Sequence, residues 1–233
     1  EVDTGSREEN ASNQNHRVQV LISSDSKKTL DRGISMKTFL LVAVMAVSSL
    51  FTQAASAQGR VAILMPGSAG AVPNDFLVRN KDRIGGRGIT AIVTTSSGEA
   101  ASISRAEAAK GNKVVLVGMS RGAVDVASAL AAGAKVNGLV IISGMYREAQ
   151  AALGSPGLLP RTLLVHNKFD TCKFTLPAFA NAFAAWSRGR ASVRWVNVQG
   201  PEVPRFCGPM GAHGFYRQDG AAVAAITGFI RSR

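Results

Sequence analysis

Acidic residues are scarce in this sequence, with 15 Asp and Glu against 27 Lys and Arg, for a net charge of +12 over 233 residues. That excess favours anionic surfaces or acidic solutes. It does not make a nucleic-acid binder. The basic residues are scattered singly, with no basic helix and no RNA-binding aromatic motif. Cysteine and histidine are also rare. There are two Cys and three His, no Cys-x-x-Cys, and nothing resembling a zinc site, so no metal and no cofactor is expected. No Gly-Lys-Ser/Thr follows the glycine-rich loop Gly67-Ser68-Ala69-Gly70, which weakens a phosphate-binding reading of it. No internal repeat or low-complexity block occurs after residue 58. No apolar run is long enough to span a bilayer comfortably.

The start of the chain has its own pattern. Residues 1–35 are polar, carry mixed charges and have no sustained apolar period, so they read as disordered. Met36-Lys37 then opens a positive start, an apolar run from Phe39 to Val47, and Ala55-Ser56-Ala57. This is the form of a secretory signal peptide over 36–57 with an Ala-x-Ala cleavage site. We expect translation to begin at Met36, the mature chain at Gln58, and residues 1–35 to be an upstream extension. The expected location is periplasmic or secreted, in a bacterium, with peripheral attraction to anionic envelope surfaces. In an exported protein Cys172 and Cys207 read as a disulfide.

Residues 58–233 have the size of one domain with one core. Apolar, β-branched strands are expected at 60–66, 89–95, 113–119, 136–143, 161–166 and 193–198. Helical patterns alternate with them: a short one capped by Asn74-Asp75, then 102–110, the stretch from Ala123 to Ala131, 179–186 and 220–230. Alternating strands and helices give an α/β fold with a mostly parallel six-stranded sheet and helices on both faces.

The organising stretch is Lys113 to Gly122. A buried strand runs into Gly118-Met119-Ser120-Arg121-Gly122, and a helix follows at once. That is the context a nucleophile elbow requires, with Ser120 on a strained turn at the carboxyl end of the sheet. A hydroxyl is a poor nucleophile at neutral pH and needs a base, which needs an orienting acid. His213, in a glycine-rich loop before the last helix, is the candidate base. Asp170, after the fifth strand, is the candidate acid, with Glu202 in reserve. His166 reads as structural or supporting. The Cys172–Cys207 bridge would tie the acid loop to the histidine loop, worth about 3–4 kcal/mol by the chain-entropy model. The backbone N–H groups of Ser68 and Arg121 are the candidate oxyanion donors. Met119, Arg121 and Tyr146 are candidate substrate contacts. The Arg121 side chain could equally form a surface salt bridge.

Five pieces, Leu64 to Gly70, Asn74 to Asn80, Val117 to Gly122, Leu164 to Cys172 and Cys207 to Tyr216, together resemble the α/β-hydrolase superfamily. The resemblance covers nearly all of residues 60–232. It is similar to a small, exported bacterial subgroup carrying the same Asp-x-Cys and Cys…His-Gly-Phe elements. It implies Ser120 as nucleophile, Asp170 as acid and His213 as base. The chain enters its first strand almost directly after residue 58, leaving no room for the superfamily's first two antiparallel strands. The expected form is thus a minimal α/β-hydrolase. The expected activity is that of a serine hydrolase (esterase, thioesterase or amidase) working through an acyl-enzyme on a small to medium acyl substrate. The segment from Gly144 to Pro160, with Met145, Tyr146 and Leu153, suffices for a small apolar cap and not for a lipase-sized lid. Two alternatives stand beside this: a non-catalytic envelope binding protein of the same fold, and an acyltransferase.

Overall fold

The computed structural model describes residues 58–197, 199–201 and 205–233. The expected extension 1–35, the leader 36–57 and the reserve acid Glu202 lie outside the described residues. Six strands form one sheet: β1 (Arg60–Met65), β2 (Ile89–Val93), β3 (Lys113–Met119), β4 (Gly138–Ile142), β5 (Thr162–Asn167) and β6 (Ala191–Val196). They run parallel throughout, in the order β2-β1-β3-β4-β5-β6. Among the described residues the only antiparallel pairing is an isolated bridge, Gly86 to Ile89.

Burial explains the strand sequences. Every residue of β4 and all but the first of β1 and β3 are buried. A strand covered on both faces reads as a continuous apolar run. The edge strands differ: β6 alternates between half-buried and exposed, and β2 is only partly covered. Among the described residues seven α-helices accompany the sheet: α1 (Phe76–Arg79), α2 (Lys81–Ile84), α3 (Ser97–Ala109), α4 (Gly122–Ala131), α5 (Tyr146–Leu153), α6 (Pro177–Trp186) and α7 (Gly220–Arg231). The pleat sends alternate side chains to opposite faces. Val61, Ile63, Leu116 and Ile141 meet α3, α4, α5 and α6 in one core. Ala62, Leu64, Val117 and Val140 meet α1, α7 and Phe215 in the other. Each fully buried large aliphatic or aromatic side chain contributes about 1.5–3 kcal/mol.

Three helices depart from expectation, the least of them α6, which starts at Pro177 rather than Phe179. α3 starts at Ser97 rather than Ser102, because the Ser96 hydroxyl caps it by accepting from the Glu99 N–H. α5 forms where a small apolar cap was expected. Its Tyr146, Ala149 and Leu153 are buried together on one side.

Candidate active site

The strand order fixes where the site lies. The loop leaving β1 turns to the α1 face, while the loop leaving β3 turns to the α4 face, so a crevice opens beyond the carboxyl ends of these neighbouring strands. Ser120 stands there, between β3 and α4, with φ of 51°. A left-handed serine is strained by about 1–3 kcal/mol and persists only when its surroundings impose it. Here the Ser120 N–H donates to the Ile142 carbonyl at 2.9 Å, and the Met145 N–H donates to the Ser120 carbonyl at 3.1 Å. The flanking glycines are required by close approach. A Cβ on Gly122 would lie 2.0 Å from the Met65 carbonyl oxygen, and one on Gly118 would lie 2.4 Å from the Gly122 carbonyl oxygen.

Asp170 and His213 meet on the other side of the crevice. The His213 Nδ1 lies 2.9 Å from Asp170 Oδ2 and 3.1 Å from the Thr175 hydroxyl, with both members of the pair buried. The Asp170 carboxyl also accepts from the Cys172 N–H at 2.9 Å and from the Thr175 hydroxyl at 2.9 Å. Three donors hold it in one orientation. A carboxylate only accepts, so the proton between them is assigned to Nδ1 and the lone pair to Nε2. The His213 turn is tied down in its own right: the Asn167 side-chain amide donates to the Ala212 carbonyl at 2.8 Å. The Cys172–Cys207 disulfide, with Cα atoms 4.6 Å apart, joins the acid loop to the histidine loop.

Behind the pair lies a second histidine. His166 is fully buried, with Nδ1 3.1 Å from the Tyr146 hydroxyl, while its Nε2 faces Asp170 Oδ2 at 3.6 Å. Burial pushes its pKa down to about 4, against the opposing pull of Asp170. It is therefore a neutral packing group beneath the acid. On the β1 side, Asp75 accepts from the Gly67 N–H at 3.0 Å and from the Leu77 N–H at 2.8 Å, fastening the loop after β1 to α1. Burial raises its pKa, an effect these donors partly offset.

One cavity of about 640 Å³ collects Gly67, Ser68, Met119, Ser120, Met145 and His213 on its walls, with both cysteines at its edge. Among the described residues no cluster of three or more His, Cys, Asp or Glu is placed to hold a metal ion.

Solved structures of the same architecture were found. An esterase domain of a Rhodothermus marinus protein aligns with a TM-score of 0.54 at 12% identity, over 76% of this chain and 89% of that one. A yden-like hydrolase from Pectobacterium atrosepticum aligns at 0.53 and 16% identity, over 83% and 98%. An esterase from Exiguobacterium antarcticum aligns at 0.51 and 12%, over 75% and 92%. The fold is that of an α/β-hydrolase. No protein-family model matches the sequence, and no curated protein does.

Two expected contacts sit elsewhere in this α/β-hydrolase fold. Tyr146 does not line the cavity. It is buried against His166 and Phe183, and burial raises its pKa. The Arg121 side chain is also not on the cavity wall. It is largely exposed, with Nε 3.8 Å from Asp125 on the next turn of α4. Met119 and Ser68 do line the cavity. Sequence reasoning missed Arg79, which lies at the centre of a clamp on the histidine loop. Its guanidinium donates to both oxygens of Asp219, at 2.7 and 3.1 Å, and to the Gly214 carbonyl next to His213. Thr175 was missed as well. The clamp has no local sequence signal, since Gly214 and Asp219 lie 135 and 140 residues from Arg79, whereas Thr175 is only five residues from Asp170 and could have been found there.

Proposed function

We propose that this α/β-hydrolase is an exported serine hydrolase of the esterase, thioesterase or amidase type, acting on small to medium acyl substrates. The observation that carries the reading is the buried His213–Asp170 bond at 2.9 Å, opening onto the same cavity as a strained Ser120. In the proposed cycle His213 Nε2 takes the proton from the Ser120 hydroxyl as its oxygen attacks the substrate carbonyl carbon. Asp170 keeps the imidazole in the required tautomer and stabilises the imidazolium. The oxyanion is held by the N–H groups of Ser68 and Arg121. The Gly67 N–H is committed to Asp75, which leaves that of Ser68 as the next donor along the loop. The Arg121 N–H stands at the N-terminus of α4, where the helix dipole favours negative charge. The imidazolium returns its proton to the leaving group, and water then hydrolyses the acyl-enzyme through the same histidine.

Substrate size follows from the β4–β5 connection. α5 folds into the core instead of rising over the cavity, leaving Met145 as its only contribution to the wall. Export, through the leader at 36–57, and residence in the periplasm or outside the cell are part of the same proposal. So is peripheral attraction to anionic envelope surfaces.

Labelling the oxidised protein with a fluorophosphonate and mapping the adduct by mass tests the reading. We expect a covalent adduct on Ser120, none in Ser120→Ala, and labelling slowed on the order of 10²–10⁴-fold in His213→Ala, the usual contribution of a general base. Folded, disulfide-bonded protein that takes no adduct would refute the hydrolase.

A further inference from the structure

The cavity mouth is built from two short segments that the disulfide joins, and they match in composition. One is Cys172-Lys173-Phe174 and the other Arg205-Phe206-Cys207, and all six residues line the cavity. Each segment therefore brings one cation and one phenylalanine to the rim above Ser120. The phenylalanines are unusually open for their type: Phe174 is 49% and Phe206 63% exposed. Isolated exposed apolar residues need no explanation, but two flanking one cavity mouth with a cation beside each do. Lys173 Nζ sits 5.1 Å from the Phe174 ring centroid. Among the described residues, no carboxylate pairs with Lys173 or Arg205. The single acid on the cavity wall is Asp75, whose two oxygens are already taken by backbone N–H groups.

We infer that this rim selects substrates with an apolar body ending in an anionic group, a carboxylate or phosphate. The acyl carbonyl sits at Ser120, the apolar body lies between Phe174 and Phe206, and the anion meets Lys173 and Arg205. Their long stems let the charged heads stay in water while reaching the end of a bound chain. This specificity rests on the serine-hydrolase reading above, but it can fail on its own.

The test compares two fluorophosphonates of equal chain length, one ending in a methyl group and one in a carboxylate. The second-order labelling rate is measured for each on the oxidised full chain. Two partly exposed charge contacts are expected to favour the carboxylate probe about ten-fold at low salt, and the preference should shrink as salt is added. In Lys173→Ala/Arg205→Ala the ratio falls toward one, and in Lys173→Glu/Arg205→Glu it inverts. Both positions are exposed, and an unchanged thermal melt confirms that the variants fold. Lys81→Ala, an exposed cation on α2 away from the cavity, leaves the ratio unchanged if the effect is local. A wild-type ratio of one, or a preference that the double variant keeps or that Lys81→Ala removes, overturns the inference while leaving the hydrolase standing. No labelling of Ser120 by either probe overturns both.

Discussion

The two sides of the cavity are made differently. On the β1–β3 side, Ser120, Ser68 and Met119 hang from strand ends in the middle of the sheet, where backbone approaches backbone so closely that Gly122 has no room for a methyl group. On the β5–β6 side, Asp170 and His213 come from loops 43 residues apart. These loops are held by a disulfide, an arginine clamp and single hydrogen bonds. The first side is rigid because the sheet is, so damage there should damage the fold. The second has been made rigid by individual fastenings, so each can be released with the sheet left in place.

The largest effect is expected from the disulfide. Reducing it, or making Cys172→Ala/Cys207→Ala, reopens a 35-residue separation and should lower stability by about 3–4 kcal/mol in the chain-entropy model. Labelling of Ser120 should slow sharply in mild reductant while the far-ultraviolet signal of the sheet and helices persists. Simultaneous loss of both would mean that the loops and the sheet unfold as one unit. Gly122→Ala attacks the other side. A Cβ placed 2.0 Å from the Met65 carbonyl oxygen cannot be relieved by turning a side chain, so β1 and α4 must separate. The expected cost is about 3 kcal/mol, at the upper end for overpacking. Here urea midpoint and labelling should fall together, and a fully stable but inactive variant would contradict the picture of a sheet-built half.

His166, on β5, lies beneath Asp170 and against Tyr146 and Trp195. Burial holds its folded-state pKa at about 4, below the ordinary value of 6.5. Between those values the unfolded chain binds a proton that the folded chain does not. Stability is therefore fully present above pH 6.5 and is lost as the pH falls toward 4. The loss from this group between pH 7 and pH 5 comes to about 2 kcal/mol. Urea unfolding at both pH values should show this decrement in the wild type and a smaller one in His166→Gln. Equal decrements would remove His166 as its source.

The same division governs how much of the molecule could be read from its sequence. Strands β1, β3, β4 and β5 are legible because double-sided burial demands unbroken apolar runs, and Ser120 is legible because strand, turn and helix are contiguous. The order of Ser120, Asp170 and His213 gave the loop side its residues but not its fastenings. Arg79 reads as an ordinary basic residue on a short helix until the fold brings Asp219 and Gly214 to it. Tyr146 reads as a substrate contact because it falls where a lid would insert. Its spacing with Ala149 and Leu153 is that of one helix face, a signal pointing to the core. Arg121 likewise has Asp125 one helical turn away, an i,i+4 pair visible without any structure. Ser96 and Glu99 have the spacing of a capping box, which marks the true start of α3.

Arg79 offers the most discriminating test because the expected change is the smallest. Its guanidinium is 17% exposed and that of its partner carboxyl 15%, so the pair is partly shielded, and two parallel bonds reach Asp219 while a third reaches the Gly214 carbonyl. Arg79→Lys keeps the charge and loses the fork. A point charge can satisfy the carboxylate or the carbonyl, not both in the same geometry, so stability should fall by only about 1 kcal/mol. The adjacent His213 turn, however, loses one of its fixed points. If the loop side depends on its individual fastenings, the labelling rate at Ser120 should drop several-fold more than that modest destabilisation explains. The drop should persist at temperatures where the variant is fully folded. Asp219→Asn, which leaves the Gly214 bond in place, should slow labelling less. If Arg79→Lys and Asp219→Asn slow it equally, the anchor is the ion pair itself, and the carbonyl contact beside His213 carries no part of the positioning.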